Sequence, residues 1–397
     1  MRTAPRSTVW LLSAVAALAT LACGGKNAGD TSSLSAVTPS SASLSVALDG
    51  SSASAMPVAA QDTGSAALLQ DGATADGMGV LIPTDVPCHP HLFLRTEAVS
   101  RRLNRHLYKF LGRIDALVAR HPAIDTTGQV VWERVTATGL DEKFTVALVS
   151  DQTYTWKLEL RQGATGDFTT VFSGQVDRTG VTGPHQGTGT LTLDLTALKA
   201  VVPAEPAQGT IAVSFDVNPT SRQVVLDARE VSWDVGDDPS DLAPVAPRNA
   251  HYVFFREPGK GGSLKAADQM VFTCPANPEL KRADVELVHQ WYLVDGAVHG
   301  RSDAQMVNGQ LSATQRIAGV TCHQKPVGGM FTEGYWQMKL EADGAVVVAG
   351  SHESGTGTPC DPAFGPVPAL DSTTGDFDFS AVDFTDATPY PFPGQVP

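Results

Sequence analysis

Thr153-Tyr-Thr-Trp-Lys-Leu-Glu-Leu160 decides the fold. Tyr154, Trp156, Leu158 and Leu160 fall on one parity, and Thr155, Lys157 and Glu159 on the other. A period of two sends successive side chains to opposite faces, so this stretch reads as a strand with one buried and one wet face. The same alternation recurs outward in both directions. Leu191, Leu193 and Leu195 alternate with Thr192 and Asp194, Ile211, Val213, Phe215 and Val217 share a parity, and so do Trp336, Met338 and Leu340. One-faced strands of this kind belong to antiparallel sheets rather than to βαβ units. Turn signals separate them at Gly163-Ala-Thr-Gly166, Asn218-Pro219, Asp295-Gly296, Asn308-Gly309 and Asp343-Gly344. About a dozen strands are expected between 130 and 354 by these criteria. Gly236–Pro247 reads as a loop or linker that divides either two sheets or two halves of one curved sheet. Tyr335-Trp336-x-Met338 echoes Tyr154-x-Trp156 too loosely to make a repeat.

Upstream of the strands the period is 3.6. Val99, Leu103, Leu107, Phe110, Ile114 and Leu117 form one stripe over 96–120, while Arg95, Arg101, Arg102, Arg105, Lys109, Arg113 and Arg120 project from the other side. Pro122 stops this amphipathic helix. The stripe and the strands each have one apolar face, and the simplest way to bury both is against each other. The expected fold is therefore mainly β, a large antiparallel meander, barrel-like or two-layered, packed on one N-terminal helix.

The first residues have a different purpose. Arg2 and Arg6 precede an apolar run from Val9 to Leu18, and Thr20-Leu-Ala22-Cys23-Gly24-Gly25 follows. This is a secretory signal, too short to remain as a membrane span. It resembles a bacterial lipoprotein signal, with Thr20 where that pattern favours leucine. The resemblance implies cleavage after Ala22, lipidation of Cys23 and, by the sorting rule that goes with Gly24, residence in the outer membrane of a Gram-negative cell. In composition the chain is similar to Ala/Gly/Thr-rich lipoproteins of environmental Gram-negative bacteria. Residues 24–86, rich in Gly, Ser, Ala and Thr and without an aromatic residue, read as a disordered tether. As a flexible coil it would reach roughly 40–50 Å. The helix and β domain then occupies 87–360, and an acidic, Phe- and Pro-rich tail 361–397.

A formal charge of −14 argues against nucleic acid as a partner. In an exported protein Cys88, Cys274, Cys322 and Cys360 read as two disulfides with three possible connectivities. Cys322 and Cys360 flank a terminal hairpin and its exit loop, and Cys88 opens the domain, which favours 322–360 and 88–274. Cys88-His89-Pro90-His91 offers zinc ligands without a completing second pair, so no metal is expected there. Ser351 and His352-Glu353 fit neither a nucleophile elbow nor a zinc helix, and no cofactor motif is found. Asp376, Asp378, Asp383 and Asp386 lack calcium-loop spacing and read as a solvated tail. Phe377, Phe379 and Phe384 are too many aromatics to leave in water, and they suggest an added edge strand. Trp132, Trp156, Trp233, Trp291 and Trp336 fall in expected strands, where core filling is their ordinary use.

These readings point to a lipid-anchored, non-catalytic binding or scaffolding module of the cell envelope. A carrier would need a cavity lined by the alternate apolar residues. A hydrolase would need two or more of His251, His289, His299, His323 and His352 to meet a carboxylate in one cleft.

Overall fold

The computed structural model describes residues 37–38, 40–46, 48 and 92–395, apart from positions 127, 164, 182, 206, 233–246, 275–276, 310, 327–331 and 354–359. Among the described residues one antiparallel sheet of fifteen strands dominates, and its spatial order is its sequence order. The strands are β1 (Ile124–Thr126), β2 (Gln129–Val135), β3 (Leu140–Ser150), β4 (Thr153–Gln162), β5 (Thr169–Asp177), β6 (Gly187–Asp194), β7 (Gln208–Val217) and β8 (Arg222–Ser232). They continue with β9 (Arg248–Glu257), β10 (Gly261–Cys274), β11 (Asn277–Val294), β12 (Ala297–Val307), β13 (Gln315–Pro326), β14 (Thr332–Ala342) and β15 (Ala345–Glu353). No pairing joins β1 to β15, so the ladder is open. β8 and β9 are hydrogen-bonded neighbours, with Val225 opposite Val253, so one sheet continues across 236–247 without dividing there.

Turn chemistry sets the hairpins. Asp295-Gly296 and Asp343-Gly344 have positive φ at both positions, 50° and 73°, then 52° and 77°. Such two-residue turns match the right-handed twist of the strands they join, here β11 to β12 and β14 to β15.

Register gives each face its residues. On the inner face Trp132 lies opposite Phe144, Phe144 opposite Leu158 and Leu158 opposite Phe172. The same parity carries Val213, Leu226, Phe254, Leu264 and Trp291, all within one apolar cluster. Trp132, Trp156, Trp291 and Trp336 are buried, and Trp233 lies outside the described residues.

Three helices are described: α1 (Ser41–Leu44), α2 (Leu92–Val118) and α3 (Leu195–Val201). Leu107, Phe110, Leu111, Ile114 and Leu117 of α2 are buried in the same cluster as the strands, and α2 touches β2, β12 and β13. The side chains of Val99, Leu103, Arg95, Arg101, Arg102, Arg105 and Lys109 lie outside the described residues.

Two expectations need correction. Part of the stretch read as a disordered tether is packed: Val37, Leu44, Val46 and Leu48 are buried in the main cluster. Asn104 of α2 holds the Val46 backbone at both ends, accepting from its N–H and donating to its C=O, each at 2.7 Å. The physical reason is local, since Leu44-Ser-Val46-Ala-Leu48 alternates within a bland composition, and its peptide groups find side-chain partners. The tail, for its part, is not an edge strand. Residues 361–395 lie over the outer face of the later strands in two 3₁₀ turns, Pro362–Phe364 and Phe379–Ala381. Prolines at 366, 368, 389, 391 and 393 remove the N–H groups a ladder would use. Phe379 and Phe384 pack instead on Val288 of β11.

Candidate functional site

Ala22, Cys23, Cys88 and His91 lie outside the described residues, as do the side chains of Cys274 and His352. His251, His289, His299, Cys322 and His323 are distributed over both faces of β9 to β13, and Cys360 lies just before the tail.

On the inner face Phe254, Trp291, His289 and His323 form a run of rings across β9, β11 and β13, with centroids 6.0, 5.4 and 5.3 Å apart in turn. His289 Nδ1 lies 2.8 Å from Ser302 Oγ. His323 sits opposite Gly300, where a Cβ would overlap its ring, so the glycine makes room for the stack. Burial pushes His289 down to about 3 against an opposing backbone hydrogen bond at Arg301. Burial also holds His323 well below the usual histidine range, helped by repulsion from His289 and His299. Both rings are neutral around neutral pH.

The histidines that meet carboxylates are different ones. His251 Nδ1 is 2.7 Å from Asp227 on the neighbouring strand, and His299 Nδ1 is 2.8 Å from Asp361 at the start of the tail. Asp361 is also a cap, accepting from Ala363 N–H at 3.0 Å, and His251 Nε2 lies 3.0 Å from the Asp386 carbonyl. The structure therefore brings His289 and His323 together in the core and uses His251 and His299 as struts for the tail. Among the described side chains, the carboxylates that His251 and His299 meet are two different ones, Asp227 and Asp361.

On the outer face of β10 to β14, tail carboxylates cover buried cations. Lys339 Nζ donates to Ser372 O at 2.6 Å and to Asp376 Oδ1. Lys265 Nζ repeats the arrangement, donating to Asp383 O at 2.6 Å and to Asp386 Oδ1. Arg301 donates two 2.8 Å bonds to Asp303 and reaches the carbonyls of Phe364 and Pro366 at 3.1 and 3.2 Å. Arg316 bridges Glu341 Oε2 at 2.8 Å and Asp376 Oδ2 at 3.0 Å. Burial raises the Glu341 carboxyl, its contact with Asp376 adds to the rise, and Arg316 opposes it. The four aspartates weighed as calcium ligands thus have separate tasks. Asp376 and Asp386 hold lysines, while Asp378 and Asp383 accept from Ser380 and Thr385 N–H in their own turns. Among the described residues no group of three or more His, Cys, Asp or Glu side chains is placed to hold a metal ion.

Cys322 on β13 is bonded to Cys360, with Cα atoms 5.4 Å apart, so one disulfide ties the tail to the sheet where it begins. The 88–274 pairing falls outside the described residues.

The outer face of β3 to β6 carries an open cleft of about 440 Å³. Trp156, Gly174 and Leu191 contribute to its lining, and its polar residues are Thr145, Thr155, Lys157, Ser173, Gln175, Thr190 and Thr192. In the sequence these residues are only the wet parity of four strands, and the register is what gathers them: Thr145 faces Lys157, Lys157 faces Ser173, and Ser173 faces Thr192. The tail clamps were equally hidden, because Lys265 and Lys339 look like ordinary outward lysines on alternating strands. No protein-family model, no curated protein and no solved structure matches this chain.

Proposed function

We propose that this protein is a lipid-anchored, non-catalytic binding module of the cell envelope, cleaved after Ala22, held in the membrane through Cys23, and using the polar cleft on β3 to β6 as its contact surface. The observation that carries the reading is the filled inner face. Leu111, Ile114 and Leu117 of α2 are at most 1 % exposed, as are Phe144, Leu158 and Trp291 of the sheet. A carrier of an apolar ligand would hold a cavity at those positions. Contact of α2 with both β2 and β12 supports a curled sheet. Ten strand spacings would put those strands about 48 Å apart if the sheet were flat, whereas the 27 residues of α2 reach only about 40 Å end to end. The hydrolase reading loses support because the His–carboxylate pairs are struts beneath the tail.

Two measurements test this. Cys23→Ser should move the protein from the membrane to the soluble envelope fraction, and unchanged membrane retention would overturn the anchor. Titration of the Cys23→Ser protein with a fluorescent fatty acid should give no saturable signal, and stoichiometric binding would replace the module with a carrier.

A further inference from the structure

The geometry points to a covalent bond in this chain that is not written in its sequence: an amide between Lys339 Nζ and Asp376 Cγ, formed by the folded protein itself with Glu341 as proton carrier. Three observations carry it. Lys339 and Asp376 are in direct contact, and their side chains are only 2 % and 9 % exposed. Glu341, two residues along the same strand and on the same face, has a side chain 7 % exposed and touches Asp376, and burial keeps its carboxyl protonated further up the pH scale than usual. Arg316 Nη2 lies 3.0 Å from Asp376 Oδ2, where it would hold an oxyanion.

The step balances without a co-reactant. The reaction begins with transfer of a proton from the Lys339 ammonium to Asp376 Oδ1, the oxygen it touches. The free amine lone pair attacks Cγ, and negative charge develops on Oδ2 beside Arg316. Glu341, protonated, delivers its proton to Oδ1 and takes one from the attacking nitrogen, which restores it. The Cγ–Oδ1 bond breaks, and one water leaves. Three hydrogens on the ammonium become one on the amide and two in water, and nothing is oxidised or reduced. Beside these residues is a cavity of about 20 Å³, lined by Lys339, Asp376, Arg316 and Gln337, which is room for one water. The fold supplies the high effective concentration that makes an amide from a carboxylic acid without activation.

The second clamp is the internal control. Lys265 is also buried, but the Asp386 side chain is 40 % exposed, and the neighbouring Asp383 carboxylate is engaged with Thr385 in its own turn. With water at the Asp386 carboxylate and the neighbouring Asp383 engaged in its own turn, Lys265 and Asp386 stay an ion pair. The bond between 339 and 376 would interlock with the disulfide between 322 and 360, since each closed loop contains one end of the other.

Peptide mapping of the reduced, denatured, full-length protein by mass spectrometry tests this. The expected product is a branched peptide joining the segments that contain Lys339 and Asp376, lighter than their sum by one water, while the Lys265 and Asp386 segments are recovered unlinked. Asp376→Asn should slow or abolish the branch, and so should Glu341→Gln. Lys339→Arg should abolish it outright while keeping a cation beside Asp376, so that loss of the branch is separable from loss of the fold as read by circular dichroism. Quantitative recovery of unlinked Lys339 and Asp376 peptides from the wild-type protein would overturn the proposal. So would a water loss confined to a linear peptide, which marks a cyclised aspartate.

Discussion

His289 and His323 are neutral imidazoles stacked within an apolar layer, and this gives stability a definite pH dependence. In the unfolded chain a histidine takes a proton near pH 6.5, while folded His289 takes one only at about 3. Between those values the unfolded state binds more protons, so stability is lost as pH falls below about 6.5. Two pH units down, at pH 4.5, His289 alone should account for about 2–3 kcal/mol. Asp303 and Glu341, whose carboxyls burial holds high, favour the folded state in acid and partly mask this slope. The measurement is therefore a difference. Urea unfolding at pH 7.5 and 4.5 should show a larger loss for the wild-type protein than for His289→Gln, and equal losses would show that the ring is protonated in the folded state. At this scale the sequence was of limited help. His289 and His323 are 34 residues apart, and no local spacing says that β11 and β13 place them in contact.

Elements are where the sequence was most legible. Alternation at 154–160, 191–194, 211–217 and 336–340 became β4, β6, β7 and β14, because a sheet with one buried face demands a period of two, while Leu195 opens α3 behind the Asp194 cap. The Asp-Gly pairs became hairpin turns for the equally local reason that positive φ is cheap for those residues. Helix α2 buries Ile114 completely, and Ile114→Ala should cost about 2–5 kcal/mol in chemical denaturation. Arg120→Gln, at an exposed position, should change stability little. An Ile114→Ala protein as stable as wild type would show that α2 is not seated on the sheet. The tail was misread because its partners are remote. The alternation Asp376-Phe-Asp-Phe379 reads as a strand in isolation, and only Lys265 and Lys339, more than 30 residues upstream, turn the tail into a strap across a face.

At the scale of the whole molecule, a fifteen-strand meander with an open ladder is stabilised mostly between sequence neighbours. Among the described residues the long-range fasteners include the tail clamps and the Cys322–Cys360 bond. Cys360→Ser should lower stability by about 2–4 kcal/mol, with the tail becoming the first site of limited proteolysis. A variant with unchanged unfolding midpoint and protease resistance would mean that the clamps alone hold the strap. By itself the sequence determined the period of each strand, the hairpin turns and the apolar stripe of the helix, all of which depend on residues within a few positions of one another. Only the tertiary structure decided that Val46 is held by Asn104 of α2, that the tail lies over the outer face of the later strands, and that the hydroxyls of four strands line one cleft. Those arrangements depend on register and on contacts between residues tens to hundreds of positions apart, and a local pattern carries no record of which distant surface will accept it.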